Sequence, residues 1–222
     1  MVDNDFQQEL SKNVWSDTYK WETDIRVNDT YRRTSKCIAS KEKRSAKWEE
    51  IFYSLLSNKR YVPAGRILSN AGVGLKSTSF INCFVSGFKD ASQDSIKSIY
   101  SELKRQAQIL ASEGGYGFCC DVLRPRGSYI NGIGVGSPGS VEFLKLWDTS
   151  SQVITMGSGL KSTKGKGKIR KGAMMVTKSI WHPDIEEFIT AKREEGVLTK
   201  FNMSVLVSNK FMEACKKNKK WD

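Results

Sequence analysis

"TSFINCFVSG", residues 78–87, is the stretch on which the reading of this chain turns. Its apolar and β-branched residues spell a buried strand. At its centre stands the pair Asn82–Cys83, polar and reactive groups in a place that ordinarily takes Val or Leu. Cys83 is either a small apolar filler, the usual role of an isolated cysteine, or a thiol mounted on a rigid strand for chemistry.

Before this strand, residues 5–60 read as helices. "SAKWEEIFYSLLSN" (45–58) sets Trp48, Ile51, Phe52, Leu55 and Leu56 on one helical face, and Asn58 ends it. "YVPAGRILSNAG" (61–72) follows, with Pro63 and Gly65 expected to break any helix. After the strand, "SQDSIKSIYSELKRQAQILASEGG" (92–115) predicts a strong helix. Ile96, Ile99, Leu103 and Leu110 form its apolar stripe, Ser95 or Asp94 its cap, and Gly114–Gly115 its stop. "YGFCCDVL" (116–123) reads as a short buried strand, and "RPRGSYINGIGVGSPGS" (124–140) as a long loop. "VEFLKLWDTSSQVITM" (141–156) is a helix, "GAMMVTKSIW" (172–181) a strand, and "HPDIEEFITAK" (182–192) a helix with Pro183 in its first turn. "REEGVLTK" (193–200) is a loop, "FNMSVLVS" (201–208) a strand and "NKFMEACKKN" (209–218) a helix. Strands thus alternate with helices from residue 75 onward, the pattern of an α/β sheet or barrel behind a helical N-terminal part.

Composition narrows the chemistry. With 39% hydrophobic and 27% charged residues, the chain suits a soluble globular protein. The start lacks the apolar core of a signal peptide, and no apolar run reaches membrane-span length. Five irregularly spaced cysteines argue against a secreted disulfide framework and for a reducing cytoplasm. The net charge of +12 is concentrated in "GLKSTKGKGKIRKGAMM" (159–175) and in "KFMEACKKNKK" (210–220). A basic glycine-rich loop fits phosphate contact, of nucleotides or of nucleic acid, or else a solvated loop. The single histidine, His182, stands before Pro183 where a capping or packing role is expected, which leaves no His for a hydrolytic triad. Cys119–Cys120 lack zinc-site spacing, and "GIGVG" is not preceded by a strand and followed by a helix as a dinucleotide fingerprint requires. Cysteine redox or radical chemistry with phosphates nearby remains.

Seven motifs then stand in order across residues 60–215: "VPAGRILSNAG", "INCFV", "SEGGYGF", "LRPRGS", "RKGAMM", "WHPDIEEFITAK" and "FNMSV". Together they resemble the large catalytic subunit of ribonucleotide reductase. "PAGRIL…NCFV" and "HPDIEEFI" are more similar to the dimeric adenosylcobalamin-dependent class than to the class served by a di-iron partner. The resemblance implies a helical N-terminal region, 1–60, followed over 61–222 by the first part of a ten-stranded α/β barrel. It also implies reduction of ribonucleotides to deoxyribonucleotides for DNA synthesis. In that reaction a thiyl radical abstracts the ribose 3′ hydrogen, and two further cysteines supply reducing equivalents and become a disulfide.

By this resemblance Cys83 is one of the reducing pair, and Ile67, Asn82 and Gly115 line the substrate. Glycine at 115 lets the backbone come close. Asp90, seven residues after Cys83, matches the acid on the ribose of an allosteric dNTP or ATP effector. Arg124 matches an arginine on the effector phosphates, for which a forked guanidinium is suited; a surface salt bridge is its plain alternative. Lys192 opens "KREEGVLTKFN" (192–202), which matches the loop carrying effector identity to the substrate. The helix at 141–156 matches a dimer interface, so a homodimer is expected, with a thioredoxin- or glutaredoxin-type reductant and neither membrane nor specific nucleic acid as partner. The radical cysteine and the second cysteine of the pair match nothing here, no ATP-cone domain precedes the barrel, and the basic segment is longer than the family's usual turn. The chain therefore reads as an N-terminal piece. The alternatives are a large subunit with a separate radical-generating partner, or a non-catalytic nucleotide- or nucleic-acid-binding module.

Overall fold

The structure is a computed structural model, and it describes residues 6, 8–74, 79–88, 94–155 and 173–221. Asp90 and the basic segment 161–171 lie outside the described residues. The chain divides into two compact units, one up to Asn82 and the other from Cys83.

The first unit is helical. Helix α1 (Glu9–Val14) runs into a π-helical turn, Trp15–Tyr19, and is followed by α2 (Val27–Ala39), α3 (Ser45–Ser57) and α4 (Gly65–Asn70). Helix α2 begins where Asp29 Oδ2 accepts the Ile25 and Arg26 N–H groups at 2.8 and 2.7 Å, satisfying donors that a helix start leaves free. The polar centre of the unit is the buried pair Asp24–Arg33, at 2.9 Å. Asp24 also accepts from Trp21 N and Thr30 Oγ1, while Arg33 donates to Leu68 O and Ala71 O and so ties α2 to α4. Nearly every polar atom of the pair is used, the condition under which a buried ion pair does not destabilise. The expectation that Pro63 and Gly65 break any helix is corrected here. They stand before and at the first turn of α4, where a missing N–H or a missing side chain costs little.

The second unit is a parallel sheet with helices: β1 (Cys83–Val85), α5 (Ile96–Ala111), β2 (Gly115–Cys119), a small antiparallel hairpin β3 (Tyr129–Ile130) and β4 (Val135–Gly136), α6 (Ser140–Thr155), β5 (Met174–Ser179), α7 (Ile185–Thr190), β6 (Phe201–Leu206) and α8 (Asn209–Lys216). The strand order is β1-β2-β5-β6, all parallel. Each new strand is therefore added on the same side of the last. Right-handed crossovers that always step in one direction put every connecting helix on one face, the arrangement that curls into a barrel rather than an open doubly wound sheet.

Strand alternation then sorts the side chains. Tyr116, Phe118, Cys120, Met174, Val176 and Phe201 are buried on the helix side. Phe118 sits at the centre, 5.0 Å from the Trp147 ring of α6, 5.5 Å from Tyr116 and 6.3 Å from Phe201 between centroids. Of the stripe expected on α5, Ile99 and Leu110 are buried and Leu103 packs at the margin, but Ile96 in the first turn is exposed. His182 has the packing role expected of it. It is buried, its Nε2 lies 2.9 Å from Leu123 O, and its Nδ1 accepts the Asp184 N–H.

Candidate functional site

The sheet face opposite the helices carries Cys83 and Val85 from β1, Gly115, Gly117 and Cys119 from β2, Met175 and Thr177 from β5, and Asn202 and Ser204 from β6. Within its own unit nothing among the described residues covers this face: Val85 is 94% exposed and Met175 43%. The expectation of a fully buried strand at Cys83 is thereby corrected. Only Phe84 turns toward the helices, and the Cys83 thiol is exposed and free. A strand that buries one face still reads as apolar in sequence, so the pattern did not distinguish the two cases.

Cys83 is paired in register with Gly115 across β1 and β2, which sets their backbones about 4.8 Å apart. The next row on this face is Val85, Gly117, Met175 and Asn202. The sheet thus places a thiol beside two side-chain-free positions, a groove where a ligand can approach backbone. Asn82 precedes the strand, and its Oδ1 is buried without a hydrogen-bond donor among the described residues. Ile67 is half-buried in α4 of the helical unit.

Arg124 lies at the end of the segment after β2. Its Nε and Nη2 donate to the Asp94 carboxylate, and its Nη1 donates to Tyr129 O at 3.1 Å. Hydrogen bonding from Arg124 holds the Asp94 carboxyl below its usual range, and Asp94 in turn raises the guanidinium. The two residues line a cleft of about 120 Å³ with Ser95, Leu123, Ile130 and Phe143. Lys192 borders a different cleft, of about 430 Å³, with Phe188, Asn202 and Met203. Its Nζ donates to Phe201 O at 2.8 Å, so it fastens the 192–202 loop to the head of β6.

The structure therefore brings Cys83 and Gly115 together and places Arg124 and Lys192 in separate clefts. Sequence reasoning missed the role of Asp94, which was weighed only as a helix cap. Ser95 is the cap, its Oγ accepting the Ser98 N–H at 3.2 Å. An acid lying 30 residues from its arginine leaves no periodic signal to find it by. A second unforeseen feature is Lys178, wholly buried on the helix side of β5.

Two family models match the chain: ribonucleotide reductase, all-alpha domain, over residues 5–76, and ribonucleotide reductase, barrel domain, over residues 81–222. Among curated proteins, the chain is 33% identical over 192 residues to a vitamin B12-dependent ribonucleoside-diphosphate reductase of Mycobacterium tuberculosis. That match covers 84% of this chain and 25% of the relative. It is 34% identical over 188 residues to the protein of the same name from Thermoplasma acidophilum, covering 84% and 22%. It is also 34% identical over 173 residues to the ribonucleoside-diphosphate reductase large subunit of Dictyostelium discoideum, covering 76% and 18%. The chain thus spans a quarter or less of the length of these relatives. Among solved structures, the class Id ribonucleotide reductase alpha subunit of Actinobacillus ureae superposes with a TM-score of 0.68 at 23% identity. That likeness covers 95% of this chain and 35% of the other, and it speaks to the fold alone.

Proposed function

Since the chain belongs to the ribonucleotide reductase large-subunit family, we propose that its open sheet face is one wall of a site where ribonucleotides are reduced, with Cys83 as a redox-active thiol. The observation that carries this reading is the free, exposed thiol in register with Gly115 on the helix-free face of the parallel sheet. A strand holds a sulfur more rigidly than a loop does, and a reductant must meet one ribose carbon within contact distance. Gly115 and Gly117 leave room for the sugar beside it.

In the overall reaction the ribose 2′-hydroxyl leaves as water and hydrogen takes its place. Two thiols give up two electrons and two protons and become a disulfide. Cys83 is one of these thiols. The second, and the thiol that removes the 3′ hydrogen, belong to parts of the family fold that the chain's matched quarter does not include. Arg124 belongs to a separate nucleotide-effector site, with Asp90 as its proposed ribose contact, and Lys192, in a cleft apart from Arg124, opens the loop proposed to carry effector identity to the substrate. The exposed outer surface of α6 is the proposed dimer face.

Adenosylcobalamin supplies radicals when bound to B12-dependent relatives, and the likeness to two proteins so named favours that class. Neither of the two clefts described above fits such a group: they measure about 430 and 120 Å³, and a corrinoid is far larger than either. No step is therefore assigned to it.

The test is thiol labelling read by mass spectrometry. CDP or CTP is expected to slow maleimide labelling of Cys83 while leaving Cys215, also exposed and free, unchanged. Equal rates at Cys83 with and without nucleotide would remove the substrate from this face. In a protein spanning the whole barrel, Cys83→Ser is expected to stop multiple turnovers, and continued turnover would return Cys83 to a filler.

A further inference from the structure

We propose that Asp94 is a built-in competitor for the Arg124 guanidinium, so that a phosphate reaching Arg124 binds against a carboxylate already in place. The inference rests on the reading of Arg124 as an effector-phosphate ligand and adds to it a residue acting in the opposite sense.

All three guanidinium nitrogens of Arg124 are engaged. Nε and Nη2 grip the Asp94 carboxylate and Nη1 bonds to Tyr129 O. A guanidinium has five N–H donors, so two remain for an incoming anion, but that anion meets a positive charge already half answered. Ser95, not Asp94, caps α5. Both Asp94 oxygens face the Arg124 guanidinium, and the backbone N–H groups of Asp94 and Arg124 add to the hold on the carboxylate. The other described residues that close the cleft are apolar except for the neutral Ser95 and Ser137, and none of them brings a competing charge.

The pair is not deeply buried. The side chains are 34% and 22% exposed for Arg124 and Asp94, a setting in which an ion pair adds little stability and is easily opened. Arg124 is thus positioned by Asp94 yet can be taken from it. Weak phosphate-bearing ligands lose the competition, and polyphosphates, with more charge to offer one guanidinium, win it. The carboxylate sets a threshold of anion charge for occupation of the cleft.

The experiment titrates dATP and inorganic tripolyphosphate into the 222-residue chain by calorimetry, for wild type, Asp94→Asn, Asp94→Ser, Arg124→Ala and the double variant Asp94→Asn/Arg124→Ala. Both Asp94 variants are expected to bind both probes about three- to tenfold more tightly at low salt, the gain shrinking as salt rises. In the Arg124→Ala background, Asp94→Asn should change nothing, which separates competition for Arg124 from a general loss of negative charge. Thermal melting close to wild type for Asp94→Ser and Asp94→Asn shows that the fold is kept. Equal or weaker binding by both Asp94 variants overturns the competitor role; if Arg124→Ala still weakens dATP, the effector reading survives that result. If Arg124→Ala leaves dATP affinity unchanged, or if no form binds either probe, both fall.

Discussion

Lys178 sits near the end of β5, on the face that also carries Met174 and Val176, and its side chain is wholly buried. Its Nζ has no oxygen or nitrogen partner among the described residues, only the Cys120 thiol beside it, and lies 5.9 Å from the centre of the Phe188 ring. Burial pushes the neighbouring Cys120 thiol up to about 12, against the pull of the Lys178 charge, so Cys120 is held as a thiol and offers no negative partner. A buried polar group left unmatched costs about 1–3 kcal/mol. Methionine fills nearly the same volume without that cost. Lys178→Met is expected to raise the urea midpoint, by the equivalent of about 1 kcal/mol, while Lys178→Ala lowers it by opening a cavity. A lower midpoint for the methionine variant would mean that the amine has a partner after all. At the same scale Cys83 and Cys120 are a contrast: one exposed on the open face and one sealed in the core. Only the first is placed for redox chemistry, because a thiol that is buried and protonated is inert.

At the scale of elements, helix α5 links β1 to β2 and so fixes how far apart Cys83 and Gly115 sit. Its start depends on the Ser95 hydroxyl, which accepts the Ser98 N–H. Ser95→Ala should lower stability by about 1 kcal/mol without altering Arg124–Asp94, and a guanidinium melt checks it; an unchanged midpoint would place the cap elsewhere. Its end is turned by Glu113, at φ 65°, and Gly114 follows. A Cβ there would come within 2.7 Å of the Phe84 ring and 2.8 Å of Ile109 Cγ2. The ring belongs to β1, so Gly114→Ala is expected to push β1 away from β2, lower stability, and speed maleimide labelling of Cys83. Unchanged labelling would show that Phe84 yields without moving its strand. The joint between α6 and α7 is made by Asp184, which accepts from Ser140 N and Oγ and from Arg126 N at 2.9, 2.7 and 2.9 Å.

At the scale of the whole molecule, acid is the condition that tests these joints together. In Asp24, Asp121 and Asp184 burial works to raise the carboxyl value, yet in each the hydrogen bonds and charges that favour the ionised form prevail and hold it below the usual range. Their contribution to stability is therefore fully present above the unfolded carboxyl value of about 3.9, and it is lost as pH falls through the lower folded values. The urea midpoint should stay level from neutral pH down to about 5 and fall below about 4, and Asp184→Asn should start lower and fall less steeply. A midpoint that rises on acidification would mean that burial, not hydrogen bonding, prevails at these carboxyls. Much of this molecule was legible in its sequence. Helical periodicity marked α3, α5 and α6, the alternation of strand and helix marked an α/β unit, and the motif around Cys83 marked a strand that carries a thiol. Other features were decided only by the fold. These include the exposure of Cys83, the short helix begun at Gly65, the pairing of Arg124 with Asp94 and the burial of Lys178. The physical reason is the same throughout. Periodicity records that one side of an element is buried, but not what lies against it. The order β1-β2-β5-β6 with right-handed crossovers settles that by sending every connecting helix to one face and leaving the thiol on the other.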